Sequence, residues 1–421
     1  MTAPRPKSIV NQSEVLLSIL AIGAVVAAVK LTPLEDRTTC FLLLIFASAA
    51  PYVVRAAIRP NAARARGGSK QTSVFARLVT KMVGLCAIYA AIALVYFTFP
   101  SFSGKLTLPL LNLIREFWIV LVIVAPLYVW LTDRSMNEPE DGLFYVGRLV
   151  VAPRRPIKWD LVKQYLLGWA VKGFFLPIMI GFAYDDIDWL LSMNFSEELR
   201  KSRAYYDVVY RGLYFVDVIY ASAGYLFTMK LISAEIRSTD STVEGWFVCL
   251  ICYPPFWDFV SDNFLNYGGN YYWDQWIGWS DLLWFVWGTV ILALVVIYVW
   301  GTASLGIRFS NLTNRGIVTA GPYRWVKHPC YVAKNISWWL ISIPFVAGDT
   351  TSQCVRGCLA LSMLNLIYYF RAKTEERHLL KDPAYAEYAA WIRSNGLMAI
   401  LSSRVRLLAT SFAPEAEQVR E

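Results

Sequence analysis

Two clusters in the last third of the chain have the residue types and spacing to do chemistry. The first runs from Arg308 to Trp339 and contains Arg315-Gly316-Ile317-Val318, Gly321-Pro322-Tyr323, Trp325, Lys327-His328-Pro329-Cys330-Tyr331 and Trp338-Trp339. The second is Arg371-Ala372-Lys373-Thr374-Glu375-Glu376-Arg377-His378, followed by Tyr385 and Tyr388. Pro329 disfavours helix at the residue before it and suits the first position of a helix, so His328 is expected where a helix begins. The free N–H groups and partial positive charge of that end suit a carboxylate or similar anion. Arg371, Glu375 and His378 recur at helical spacing and can share a face. Glu375 and Glu376 point about 100° apart on a helix, so Glu375 is the carboxylate expected beside Arg371. The aromatic faces of Tyr323, Trp325, Tyr331, Trp338 and Trp339 can hold a cation. Such a set orients bound groups rather than attacking one. A carboxylate or phosphate acceptor would need no base; an amine would, with Glu376 or His378 nearest.

The elements that must position these residues are apolar helices. Hydrophobic residues make up 57% of the 421-residue chain and charged residues 17%, where a soluble domain carries roughly 25% charged residues. The apolar residues fall in ten blocks, near 14–31, 40–58, 77–99, 108–131, 161–183, 205–228, 244–261, 276–301, 331–348 and 354–371. Each approaches the roughly 20 residues a bilayer-spanning helix needs. With the N-terminus inside, 29 of the 40 Lys and Arg residues fall in the cytoplasmic stretches 1–13, 55–81, 132–163, 228–243, 302–330 and from 371 onward. That bias follows the positive-inside rule. The expectation is an all-α polytopic transmembrane bundle of about ten spans, N-in and C-in, with the first helix retained rather than cleaved. Topology accounts for the net charge of +9, so a nucleic-acid partner is not expected. The two histidines and the Cys249-Leu-Ile-Cys252 pair within an apolar run do not make a metal centre. Inside the blocks, Asp207 and Arg211 are four apart and can pair on one helix face. Lys172 and Asp217 lie deeper, and Asp258 follows Tyr253-Pro254-Pro255. The two prolines must kink or break that helix, which suits the wall of a substrate cavity.

Together the two clusters resemble the isoprenylcysteine carboxyl methyltransferase and phospholipid methyltransferase superfamily. The likeness rests on Tyr323, Lys327-His328-Pro329-Cys330-Tyr331, then one helical hairpin, Arg371, Glu375-Glu376 and Tyr385 with Tyr388. It covers about 300–395, and Lys327 stands where that family usually has Arg, losing a bidentate fork. The resemblance implies S-adenosyl-L-methionine as cofactor, held by Tyr323, His328, Pro329, Tyr331, Glu375, Glu376 and the turn containing Arg315, Gly316 and Val318. It implies catalytic roles for Arg371, meeting an anionic group of the substrate, and for Glu375. The acceptor would be a lipid or lipid-linked molecule in the bilayer, and the catalytic face cytoplasmic. Residues 1–240 would be a family-specific extension holding substrate, 241–400 the methyltransferase core and 401–421 a mobile tail. Two other readings compete. Sterol-reductase-like enzymes using NADPH share a similar Tyr…His-Pro-x-Tyr segment, but Arg371…Glu375-Glu376 fits the methyltransferases better. A transporter or scaffold would use buried charges, yet here the charged cluster sits at the membrane edge.

Overall fold

The computed structural model describes residues 4–58, 72–99, 104–198, 200, 203–265 and 272–411. Part of the 55–81 stretch, and Pro414-Glu415-Ala416-Glu417 of the tail, lie outside the described residues. The chain begins with α1 (Gln12–Leu31), α2 (Arg37–Ile58), α3 (Val74–Thr98), α4 (Leu108–Ser135), α5 (Gly142–Val151) and α6 (Trp159–Ser192). Next come α7 (Phe195–Glu198), α8 (Ala204–Leu226), α9 (Val243–Leu250), α10 (Phe256–Asn263) and α11 (Trp273–Trp276). The C-terminal part is α12 (Asp281–Leu305), α13 (Pro329–Ser342), α14 (Thr351–Leu379), α15 (Pro383–Asn395) and α16 (Leu397–Ser411). Short polar residues start many of them. Asn11 and Glu14 form a capping box on α1, as do Thr350 and Gln353 on α14. Asp141, Thr242, Ser280 and Asp382 each accept a hydrogen bond from the first turn that follows, which satisfies donors the helix cannot.

Six of these helices are long and apolar enough to cross a membrane: α1, α2, α3, α4, α6 and α12. The other four blocks differ from the sequence expectation for local reasons. Block 244–261 is not one helix but α9 and α10, eight residues each, because Pro254 and Pro255 have no N–H to continue the ladder. Block 331–348 yields the 14-residue α13, about 21 Å long, and Pro344 follows its left-handed end residue Ile343 (φ 35°). α8 and α14 are long enough, at 23 and 29 residues. Tyrosines with Arg211 and Asp217 make α8 more polar, and Gln353, Arg356 and Asn365 do the same for α14. Helix also forms between the apolar blocks: residues 142–151 are α5, and α6 runs past block 161–183 to Ser192. The tail is helical through Ser411.

The largest core joins α1, α2, α6, α8 and the end of α12, with Phe41, Leu44, Ile180, Ile187, Phe215, Tyr220 and Ala303 buried together. Several charged groups in the bundle are paired between helices. Arg77 and Lys81 both meet Asp133, at 2.9 and 3.0 Å, and Lys81 is 1% exposed. Arg211 meets Asp186 at 3.6 Å rather than Asp207, so the expected i,i+4 pair gives way to one between α8 and α6. Asp217 accepts a 2.6 Å hydrogen bond from Tyr298 of α12.

Two tethers fix the loop between α12 and α13. A two-residue antiparallel ladder pairs β1 (Ser238–Thr239) with β2 (Thr313–Asn314), in register Ser238↔Asn314 and Thr239↔Thr313. The N-terminal segment lies along the same loop: Ile9 N–H donates to Ile317 O at 3.1 Å, and Thr319 Oγ1 donates to Pro6 O at 2.7 Å. Gly316 sits between them with φ 101°, and a Cβ there would come within 2.4 Å of Ile9. Both the backbone angle and the close approach require glycine.

Candidate active site

The site is built where α13 begins and α14 leaves the bundle. His328 is the N-cap of α13 and Pro329 its first residue, as the sequence expects. One turn on, the Tyr331 ring lies parallel to the His328 ring, 5.4 Å between centroids. Tyr331 OH donates to Glu375 at 2.9 Å. Glu376 faces a different set: Lys327 Nζ donates to it at 3.0 Å, and His328 Nε2 lies 3.1 Å from its other oxygen. The adjacent carboxylates on α14 diverge, as the 100° offset requires, but both flank His328, whose Nδ1 lies 3.8 Å from Glu375. The His328 hydrogen bond, aided by Lys327 and working against burial, lowers the Glu376 carboxyl to about 2.

Arg371 is 6% exposed. Its guanidinium is ringed by Tyr331, Tyr253 and Tyr368, with centroids at 5.2, 5.4 and 5.6 Å. It donates to Asn311 Oδ1 at 2.6 Å and to Tyr253 OH at 3.3 Å. Asn311 is held in turn by Tyr225, which accepts from its backbone and side-chain nitrogens at 3.0 Å each. Among the described residues, no carboxylate lies within ion-pair distance of Arg371. A buried cation is costly unless an anion or dense hydrogen bonding offsets it; here two side-chain hydrogen bonds and three tyrosine rings surround the guanidinium.

Beside Arg371 lies a small, partly open cleft. Arg371, Asn311, Cys249 and Tyr331 line one end; Asp240, Thr313 and His378 line the other; Glu375 and Thr374 lie between. The seven residues from Arg371 to His378 set the two ends about 10 Å apart along α14. His378 reaches Ser238 Oγ at 3.3 Å, and burial lowers its pKa from the ordinary imidazole value.

Of the sequence candidates, Tyr331, Arg371 and Glu375 meet in this cleft, and His378 joins them. The others stand behind it. Tyr323 receives a 2.6 Å hydrogen bond from Tyr388 at its carbonyl, and its hydroxyl lies 3.8 Å from Cys330 Sγ. His328, Pro329 and Glu376 brace the start of α13. Val318 is buried in the main core, and Gly316 makes the turn described above. Arg315 is 2% exposed, with its donors taken by backbone carbonyls: Ala234 at 3.0 Å, Gly224 at 2.7 Å, Phe309 at 2.9 Å and Phe227 at 3.3 Å. It clamps the 309–315 loop to the end of α8. The sequence reading missed Asn311, Tyr253, Asp240, Thr313 and Ser238 as site residues. The Tyr253-Pro254-Pro255 kink was the available signal for Tyr253. Nothing local marks Asp240 or Ser238, which arrive through the β ladder.

The candidate residues from Arg315 to Glu376 fall within one matched region. The isoprenylcysteine carboxyl methyltransferase (ICMT) family model matches residues 282–381, from α12 to the end of α14. No curated protein and no solved structure matches the chain. The C-terminal region is therefore similar to a family of carboxyl methyltransferases, in a chain with six helices able to cross a membrane.

Proposed function

We propose that this protein is an integral-membrane methyltransferase that takes S-adenosyl-L-methionine and methylates an anionic, lipid or lipid-linked acceptor at the cytoplasmic edge. The observation that carries the reading is Arg371: a buried cation without an acidic partner, sharing a cleft with the Tyr331–Glu375 pair, inside the region similar to the methyltransferase family. The cleft's residues fit the cofactor. Tyr331 and the Glu375 carboxylate suit a sulfonium cation, and hydrogen-bonding groups lie along the rest of the wall. When bound, S-adenosylmethionine would supply a methyl group on positively charged sulfur, with a neutral thioether as the leaving group. Arg371 orients the acceptor anion, and the Asn311 and Tyr253 contacts hold Arg371 still. An acceptor carboxylate or phosphate is already deprotonated, so positioning is the main demand on the protein.

An even number of crossings with both termini on one face remains our reading of the topology. Three contacts support it. The N-terminal segment bonds to the 317–319 loop, Arg55 at the end of α2 pairs with Glu14 at the start of α1, and Arg37 pairs with Asp188 at the opposite ends of α2 and α6. Each joins helix ends that alternating crossings would put on one face. The direct test is transfer of labelled methyl from S-adenosylmethionine into a membrane extract by the purified protein. Label is expected in a lipid fraction as the methyl ester of an acceptor carboxylate or phosphate. No label in any lipid fraction would overturn the proposal.

A further inference from the structure

From the end of α5 into α6 the chain carries five cations and one carboxylate: Arg148, Arg154, Arg155, Lys158 and Lys163 against Asp160. Hydrogen bonds fold the connection back on α5. Arg148 donates to Pro156 O at 3.2 Å, and Arg155 N–H donates to Ala152 O at 3.1 Å. The Arg148 guanidinium and the Lys158 ammonium both lie over the Tyr145 ring, 5.3 and 5.8 Å from its centroid. Among the described residues, none of the five cations has a carboxylate within ion-pair distance. Like charges gathered this closely repel, and an anion among them relieves the repulsion. α6 also starts here with no side-chain cap, so the N–H groups of its first turn add to the attraction for an anion.

Exposed apolar side chains accompany these cations. Val150 and Val151 are 56% and 55% exposed, and Trp159 is 64% exposed. α5 has ten residues, about 15 Å of helix, so its valines do not belong to a crossing segment. A free phosphate gives such side chains no partner. A bilayer surface supplies both chemistries: headgroup phosphates for the cations, and the acyl boundary for valine and tryptophan. α6, which starts here, is one of the six helices able to cross a membrane. In our topology the segment faces the cytoplasm, where the leaflet carries anionic lipids. We propose that the α5–α6 segment binds anionic phospholipid headgroups, with Arg154, Arg155 and Lys158 on the phosphate and Val150, Val151 and Trp159 in the acyl boundary. This site is separate from the cleft and does not rest on the methyltransferase reading. It borders the scaffold of the cleft through α6, where Gln164 Oε1 accepts from Thr239 N–H at 2.9 Å.

The test is retention of acyl-labelled phosphatidylglycerol and phosphatidylcholine on the immobilised full-length protein in neutral detergent. Wild type should retain phosphatidylglycerol more strongly. Arg154→Gln with Arg155→Gln should weaken phosphatidylglycerol by about 5- to 25-fold, the range for one or two lost cations each worth about fivefold, and leave phosphatidylcholine unchanged. Both side chains are exposed, so the melting temperature should match wild type. Val150→Ser with Val151→Ser should weaken both lipids and keep the preference; unchanged retention overturns the acyl contact. Glycerol 3-phosphate, which has the phosphate without acyl chains, should compete poorly; displacement at equal concentration makes this a free-phosphate site and overturns the lipid assignment. Equal retention of the two lipids by wild type overturns the proposal and leaves the patch to an acidic protein. An undiminished preference in the double arginine variant overturns it too, by placing the preference elsewhere on the chain.

Discussion

Replacing Arg315 with Lys separates a residue that holds the site from one that touches ligand. The Arg315 guanidinium serves four backbone carbonyls at 2.7–3.3 Å from a position 2% exposed. A lysine keeps the charge but loses the planar fork. Its single ammonium cannot reach carbonyls on both sides of the guanidinium plane, so about two contacts are lost. Hydrogen bonds to a charged group are worth about 1.5–3 kcal/mol each, which puts the loss at about 3–6 kcal/mol. For a chain of this size that corresponds to a melting temperature lower by roughly 3–7 °C. The assay is thermal unfolding by tryptophan fluorescence in detergent, paired with calorimetry of S-adenosylhomocysteine below the variant's transition. Affinity should change by less than about threefold, because no Arg315 donor lines the cleft. An unchanged melting temperature with a tenfold or greater loss of affinity would refute the clamp and give Arg315 a direct role at the ligand.

Three further outcomes follow from the same geometry. Glu375→Ala removes the carboxylate that faces the cleft and should weaken cofactor binding at least about tenfold; Glu376→Ala, which unties Lys327 and His328, should lower stability with a much smaller effect on binding, and equal binding effects would sink the helix-face argument. The folded-state pKa of Glu376 is depressed to about 2, so its stabilisation is present above the ordinary carboxylate range near pH 4.5 and is lost as pH falls toward 2. The full effect is at most about 3 kcal/mol, and Glu376→Gln should flatten the difference between melting temperatures at pH 5 and pH 3; an unaltered difference would contradict the assignment. A reporter fused after Glu421 should be cytoplasmic, and an outside signal would break the even-crossing topology.

The parts of the fold that the sequence made legible are those dictated by local pattern. Long apolar runs became the six membrane-length helices, Pro329 marked the start of α13, and the spacing of Arg371, Glu375 and His378 put all three in one cleft. Misreadings came where one residue overrides composition. Pro254-Pro255 and Pro344 cut two apolar blocks short, although hydropathy runs through both. Arg211 chose Asp186 on another helix over Asp207 on its own; spacing shows which pairs are possible, and tertiary packing decides between them. Arg315 sits inside a ligand-like motif, yet its donors are spent on carbonyls whose approach depends on α8, more than 80 residues earlier. Asp240 and Ser238 were invisible for the same reason: only the β1–β2 ladder brings them to the cleft.

The central claim is that the cleft beside Arg371 takes a methyl-donor nucleoside. Calorimetric titration of the purified full-length protein with S-adenosylmethionine, and separately with NADPH, tests it most directly. The account predicts saturable binding of S-adenosylmethionine that Glu375→Ala weakens, and no heat with NADPH. Saturable binding of NADPH with none of S-adenosylmethionine would contradict it and leave a reductase as the better account.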